Sequence, residues 1–172
     1  MESRFKVLGH PLHQMLIVFP LGLLVTAVVF DGIYVFGGRE PRWAEIAYWM
    51  IVAGLIGGLA AAVPGWIDWF AIPSGTRAKW IGLIHGLGNG LGVLGLYGAS
   101  WWLRRPDPAQ PSDLALLLSV GGLLLGSVTA WLGGELVSRM GVGVDSGAHL
   151  NSPNSLSGRA ATEGAQTVPR TR

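Results

Sequence analysis

The sequence predicts an all-α polytopic membrane protein: a four-transmembrane-helix bundle with a disordered C-terminal tail. Half of the 172 residues are hydrophobic, 13% are charged, and the mean hydropathy is +0.45, which is too apolar for a soluble domain of this size. Four long apolar stretches account for this composition, and each can supply the roughly 20 residues that a helix needs to cross a bilayer. The eight tryptophans gather near the ends of these stretches, as in the aromatic belts of spanning bundles.

The helix boundaries are predicted from the residues that interrupt or separate the apolar stretches. We expect one transmembrane domain over residues 1–145, with helices at about 11–36, 44–72, 78–103 and 113–139. Pro11 suits the start of the first helix because the first helical amides have no partner there, whereas Pro20 should bend the helix. The loop over 104–112 contains three prolines and should lie in water.

The C-terminal residues differ sharply from the rest of the chain. After Asp145 the sequence is rich in Ser, Gly, Asn, Pro, Thr and Arg. Such a segment buries too little apolar surface to fold alone, so we expect residues 146–172 to be disordered. His149 lies in this tail and should be solvated.

Small residues recur every three or four positions in the last three apolar stretches. They are Gly54, Gly58, Ala61 and Gly65, then Gly82, Gly86 and Gly90, then Gly122, Gly126, Ala130 and Gly134. This spacing lets helix backbones approach closely where lipid supplies no hydrophobic drive. We therefore expect close helix packing along these faces.

Composition also excludes several classes of function. The chain has no cysteine, so disulfides, thiolate metal sites and thiol catalysis are ruled out. Its net charge is only +2, and the arginines are scattered over loops and tail, which argues against nucleic acid as a partner. No nucleotide-binding loop or hydrolase motif is found, so an accessory or electron-transfer protein is favoured over an enzyme.

Three of the four histidines are predicted to meet at one end of the bundle. His10 and His13 lie at the mouth of the first apolar stretch, three residues apart and therefore one above the other on a helix. His85 lies about one turn inside the third stretch, which enters the membrane from the same side. An ionisable group at membrane depth is costly and is a functional-site candidate for that reason.

Further polar residues are predicted near this end. Asn89 shares a helix face with His85. Asp68 leaves the second helix on this side, and Glu135 leaves the fourth. Arg139 follows Glu135 by one turn and can pair with it, so both are expected to stand behind the ligands rather than among them.

Asp31 is expected to lie apart from this cluster. It shares the face of His13 but is about five turns away, at the opposite end of the first helix. We expect it to bind backbone amides or to pair with Arg39 or Arg42, the cations that follow it in the sequence.

Three interpretations of the polar cluster fit the sequence. In the first, His13 and His85 bind the iron of haem b from both sides, with His10 as an alternative ligand, and Asp68 and Asn89 orient the imidazoles. In the second, a divalent metal ion is held by His10, His13, His85 and Asp68, since imidazole with carboxylate suits zinc, iron or manganese. In the third, no cofactor is present and the histidines form a hydrogen-bonded polar lock with Asp68 and Asn89.

Several short motifs occur in a fixed order along the chain. They are Gly9-His10-Pro11-Leu12-His13, Phe19-Pro20-x-Gly22-Leu23, Val29-Phe30-Asp31, Gly65-x-x-Asp68, His85-x-x-x-Asn89, Trp131-Leu-Gly-Gly-Glu135-Leu-Val and Gly141-Val-Gly-Val144. Together they resemble the bacterial membrane proteins catalogued as domain of unknown function 2231, over about residues 7–156. The chain departs from that pattern at Gln14, where the family often has proline, and at Met140, where it often has histidine.

The resemblance implies a bacterial four-helix membrane protein with no assigned activity. Some members are joined to Rieske-type iron–sulfur domains, which implies, by association, a small redox or cofactor-binding subunit. Its expected place is the bacterial cytoplasmic membrane, with lipid, redox proteins or further copies of the chain as partners. A narrow excess of Lys and Arg favours both termini in the cytoplasm. The alternative is a non-catalytic structural or partner-binding membrane protein.

Overall fold

The computed structural model describes residues 1–165, which are all-α apart from one small hairpin. In chain order the elements are β1 (Lys6–Val7), β2 (His10–Pro11), α1 (Leu12–Leu16), α2 (Val18–Phe36), α3 (Pro41–Ala71), α4 (Arg77–Leu87), a π-helix (Gly88–Val93), α5 (Leu94–Arg104), α6 (Asp113–Ser138) and a 3-10 turn (Ser155–Ser157). The two strands pair antiparallel, and β2 leads directly into α1.

Three helical stretches in the described part of the chain are long and apolar enough to cross a membrane. They are Leu12–Phe36 (α1 with α2), Pro41–Ala71 (α3) and Asp113–Ser138 (α6), with mean hydropathies of 2.3, 2.1 and 1.9. At most 28% of the most apolar window of each stretch is buried inside the bundle. Most of this apolar surface therefore faces outward, as expected of a membrane-facing surface.

The third predicted span, at 78–103, takes a different form. The chain is helical over 77–104, but the π-helix divides this run into α4 and α5 of 11 residues each. The dividing segment reads Gly-Asn-Gly-Leu-Gly-Val, and glycine has the weakest α-helical preference of any residue except proline. Three of the four predicted spans thus correspond to candidate membrane spans, whereas the span predicted at 78–103 corresponds to a divided helical run that is not among them.

Prolines explain where the first two helices begin and break. The first apolar helix is interrupted at Ile17, because Pro20 has no N–H to donate to the preceding turn. Pro41 occupies the first turn of α3, where the missing N–H costs nothing, so this helix begins at Pro41 rather than at residue 44. Pro64 is tolerated inside α3.

Glycine brings the helices together at the centre of the bundle. An added Cβ at Gly54 of α3 would lie 2.5 Å from Leu24 of α2, and one at Gly122 of α6 would lie 2.6 Å from the Tyr97 ring of α5. These contacts border the main apolar core, which consists of Leu24, Ala27, Ala47, Ile51, Val93 and Tyr97. The glycines at these two positions therefore serve helix packing.

The N-terminal and C-terminal segments lie together at one end of the bundle. The amino group of Met1 donates to the Gly141 carbonyl at 2.8 Å, and the Gly143 amide donates back to the Met1 carbonyl at 2.8 Å. Beyond α6 the chain makes turns and the short 3-10 helix as far as Ala165. The disorder predicted for 146–172 remains a prediction, and residues 166–172 lie outside the described residues.

Candidate histidine site

His13 is the ligand candidate that α1 supplies. Its Nδ1 lies 2.8 Å from the carbonyl oxygen of Ala61 in α3. Pro64 lies one turn further along α3; it has no amide N–H, and its ring crowds the preceding turn. The His13 imidazole bonds to a carbonyl of that preceding turn. An added Cβ at Gly65 would lie 2.8 Å from the same Nδ1, so the absence of a side chain there makes room for the ring.

His85 is held in a matching way by α6. Its Nδ1 lies 2.8 Å from the carbonyl oxygen of Thr129. An added Cβ at Gly133, one turn later, would lie 3.0 Å from the His85 ring. Each imidazole therefore sits against a glycine of a neighbouring helix and bonds to a carbonyl one turn before that glycine.

The imidazole rings of His13 and His85 are neighbours in an edge-to-face arrangement. The ring centroids of His13 and His85 are 6.3 Å apart, and the ring planes are perpendicular, at 89°. A backbone carbonyl can only accept a hydrogen bond, so each Nδ1 must carry the proton and, in the neutral imidazole, each Nε2 keeps its lone pair. Two neutral imidazoles from separate helices thus lie side by side, each with Nδ1 engaged by a backbone carbonyl.

Asn89 forms hydrogen bonds with the backbone of His85 and with Thr129. Its amide nitrogen donates to the His85 carbonyl at 2.9 Å, and its amide oxygen accepts from the Thr129 hydroxyl at 2.9 Å. The same amide nitrogen is 3.5 Å from Nε2 of His85. Thr129, which is buried, was not identified from the sequence; its position one turn before Gly133 was the available signal.

His10 does not join the pair. The three-residue spacing from His13 has no helical meaning, because His10 belongs to β2 and the helix begins only at Leu12. Its side chain is exposed, and its Nε2 lies 3.4 Å from the Ser155 hydroxyl oxygen in the C-terminal segment.

Asp68 is engaged elsewhere. Its two carboxylate oxygens accept from the Ser3 hydroxyl at 2.9 and 2.7 Å, and one of them also accepts from the Arg4 amide at 2.6 Å. The carboxylate therefore fastens the N-terminal segment to the end of α3. Within residues 1–165, no group of three or more His, Asp or Glu side chains is placed to hold a metal ion together.

Glu135 binds cations at the same end of the bundle. Arg77, at the start of α4, donates to it at 3.1 Å, whereas the predicted partner Arg139 lies further away, at 3.9 Å. The closer partner comes from another helix, which the sequence does not show. Arg77 also contacts the sulfur of Met140, at 3.8 Å.

A second polar cluster lies at the opposite end and corrects two expectations. Arg104 is not in an aqueous loop: it ends α5, is fully buried, and forms a two-pronged ion pair with Asp31 at 2.8 and 2.7 Å. The cations expected to pair with Asp31 have other partners, since Arg39 bonds to Asp113 and Arg42 to Glu40.

Comparison with known proteins adds a family. A family model described as predicted membrane protein (DUF2231) matches residues 9–146. The chain belongs to this family. The matched range contains the histidine pair and the buried ion pair, whereas β1 and the C-terminal segment fall outside it. No curated protein and no solved structure matches the chain.

Proposed function

We propose that the chain is a four-span integral membrane protein that binds a transition-metal centre through Nε2 of His13 and His85. One observation carries the proposal: both imidazoles place Nδ1 within hydrogen-bond distance of a backbone carbonyl, to which Nδ1–H can donate, and the ring centroids lie 6.3 Å apart. His13 and His85 would hold the metal through Nε2, the ring nitrogen that the hydrogen bond to the carbonyl leaves free. Histidine ligands to metals commonly donate their other ring N–H to a backbone carbonyl in the same way.

The helical run at 77–104 supplies the fourth span in this proposal. It comprises 11, 6 and 11 residues, which is 28 in total. At about 1.5 Å per residue the run is about 40 Å long, enough to cross roughly 30 Å of hydrocarbon. An even number of spans agrees with the contact between Met1 and Gly141, which keeps both ends of the bundle domain on one side.

The metal centre is either haem b iron or a bare divalent ion. Neutral imidazole suits both, and a haem held by His13 and His85 would supply one-electron transfer. In that case the protein is a small redox subunit with redox proteins, or further copies of itself, as partners. Asp68 and His10 are left out of the ligand set, because Asp68 binds the N-terminal segment and His10 is exposed.

The proposed location is the bacterial cytoplasmic membrane, with both termini in the cytoplasm. Cations near the helix ends favour this orientation. On the side of the termini they are Arg4, Lys6, Arg77, Lys79 and Arg139. On the opposite side Arg104 is buried in its ion pair, which leaves Arg39, Arg42 and Arg105. The excess on the side of the termini corresponds to the positive-inside rule.

A second candidate function is a structural membrane protein in which the same histidines form a polar lock. The hydrogen bonds from the His85 ring to the Thr129 carbonyl and from the Thr129 hydroxyl to Asn89 favour it, since they tie the run at 77–104 to α6 without any cofactor. Buried polar groups paired in this way stabilise one arrangement of helices.

Spectroscopy with metal analysis tests the proposal and separates the alternatives. The full chain is expressed with iron and a haem precursor and purified in detergent, and its optical spectrum and bound metal are measured. We expect one haem or one metal ion per chain, lost in His13→Ala and in His85→Ala and retained in His10→Ala. A haem Soret band assigns haem b, and a stoichiometric metal without that band assigns a bare ion.

Two adjacent glycines provide a matched control for ring placement. Gly133→Ala crowds the His85 ring, whereas an added Cβ at Gly134 meets nothing within 4 Å. Gly133→Ala should therefore weaken binding, and Gly134→Ala should leave it unchanged. If the wild-type protein binds neither haem nor metal, while His13→Ala and His85→Ala only lower its thermal stability, the proposal fails and the polar lock stands.

A further inference from the structure

A polar groove lies away from the histidine pair, between the N-terminal hairpin and the C-terminal segment. Its volume is about 480 Å³, within the range of sites for small molecules. Its polar lining consists of Lys6, His10, Asp145, Ser152, Asn154, Ser155 and Arg159. The lining thus contains two cations, Lys6 and Arg159, and one carboxylate, Asp145, while Glu2 and Glu163 bond to the same two cations.

The hairpin and the C-terminal segment form this groove through a close contact. Gly9 has φ +83°, in the left-handed region, and an added Cβ there would lie 2.7 Å from the side chain of Ser155. The Ser155 hydroxyl donates to the Leu8 carbonyl at 3.2 Å. Glycine at the turn of the hairpin is therefore what allows the C-terminal segment to close the groove.

The two cations keep hydrogen-bonding capacity. Lys6 bonds to Asp145 and Glu2; these contacts raise the pKa of the Lys6 ammonium group and offset the charge of Asp145. Arg159 uses its Nε–H for Glu163, at 2.8 Å. A guanidinium has five N–H donors, so a planar edge remains for another acceptor.

The groove lies next to the residues at which the apolar bundle begins. The hairpin ends at Pro11, and the apolar helix begins at the next residue. At the same end, the Lys79 ammonium lies 3.9 Å from the centre of the Trp69 ring, the pairing of cation and aromatic expected at a membrane surface. The groove therefore lies beside the start of the first apolar helix, where lipid headgroups would stand in the four-span arrangement that we propose.

We infer that this groove binds a phosphate group, carried either by a glycerophospholipid headgroup or by a soluble phosphate ester. Arginine recognises phosphate through parallel N–H donors, and lysine adds a positive charge. The hydroxyls of Ser152 and Ser155 and the amide of Asn154 are further hydrogen-bonding groups for its oxygens. This inference is independent of the histidine pair, because none of the residues that carry it contacts His13 or His85 in the described structure.

Calorimetric titration of the full chain in detergent tests the inference with two probes. Dihexanoyl-phosphatidylglycerol represents the lipid, and glycerol phosphate represents the soluble ester. We expect Arg159→Gln to weaken binding about tenfold or more, since a hydrogen bond to a charged group is lost. Arg4→Gln is the control, because this exposed cation lies at the same end but does not line the groove.

The two probes distinguish a lipid headgroup from a soluble phosphate ester as the source of the phosphate. Binding of both probes indicates a soluble phosphate ester, and binding of the lipid alone indicates a headgroup site. Arg159→Lys keeps the charge but loses the parallel N–H donors, so it should recover only part of the lost affinity. The inference is overturned if neither probe binds the wild-type chain, if Arg4→Gln weakens binding as much as Arg159→Gln, or if Arg159→Lys binds as tightly as the wild-type chain.

Discussion

Asp31 and Arg104 are the most fully buried charges in the described bundle, and every contact around them compensates that burial. Besides the two bonds to Asp31, the guanidinium donates to the hydroxyls of Ser100 and Ser119, each at 3.1 Å. Ser100 donates in turn to the Ala115 carbonyl at 2.7 Å. A buried pair is tolerated only when its remaining donors and acceptors are satisfied in this way, and its stability depends on both partners being present.

Removing the charge of Arg104 should strongly lower the stability of the protein, whereas removing the charge of Arg105 should have little effect on it. Arg104→Gln leaves the Asp31 carboxylate unpaired, and the free energy of unfolding should fall by about 3–5 kcal/mol. Arg105→Gln removes an exposed cation and should change it by less than about 1 kcal/mol. Unfolding of both variants in mixed micelles with increasing denaturing detergent measures the difference. Equal stability of the two variants would show that the pair is not what holds α2, α5 and α6 together here.

The π-helix sets the phase between the two polar ends of one helical run. His85 and Arg104 are 19 positions apart (104 − 85 = 19), which on a regular α-helix is about 100° beyond five full turns. A π-turn absorbs one extra residue, and the remaining 18 steps make about five whole turns. The segment Gly88–Val93 therefore allows His85 to face Thr129 while Arg104 faces Asp31.

Two single-residue deletions test this phase relation. Deleting Gly90, inside the π-helix, should turn the segment into regular α-helix and keep both side chains facing inward. Deleting Gly98, in α5, keeps the π-helix and should rotate Arg104 away from Asp31 by about 100°. We expect the second deletion to cost the stability of the ion pair and the first to cost much less, measured by the same unfolding assay. Neither glycine's added Cβ would meet a neighbour within 4 Å, so packing does not favour either deletion. Equal losses would refute the phase argument.

The whole molecule has two polar ends and an apolar middle. One end carries the histidine pair, the terminal segments and the phosphate-binding groove that we infer; the other carries the buried ion pair. The core between them is built from apolar and small residues. In the function that we propose, the ionisable groups of the first end bind a ligand, whereas the buried ion pair of the second end stabilises the fold.

The absence of native cysteine makes the membrane topology directly measurable. Single variants Ser74→Cys and Ser152→Cys should lie on one side of the membrane, and Glu40→Cys and Asp107→Cys on the other, because the run at 77–104 separates Ser74 from Asp107. Labelling with a membrane-impermeant maleimide in spheroplasts should modify only the Glu40 and Asp107 variants if the termini are cytoplasmic. Labelling of Ser74→Cys together with Asp107→Cys would show that this run does not cross.

The sequence by itself determined the features that depend on local composition and period. Apolar length predicted the three candidate spans, because a helix that crosses the hydrocarbon of a bilayer must be predominantly apolar over about 20 residues. The motifs that include His13, Asp68 and His85 led to the correct family. The helix end at Arg104 was missed, since a charged residue after an apolar stretch normally marks a loop.

Only the tertiary structure decided which polar groups are partners. Asp31 and Arg104 are 73 positions apart, and the carbonyls that hold His13 and His85 belong to other helices. Helical spacing ranks residues on one helix face, but it says nothing about which face of a second helix lies opposite. That choice follows from where glycines let backbones approach and where the π-helix shifts the phase, and both depend on the packed bundle as a whole.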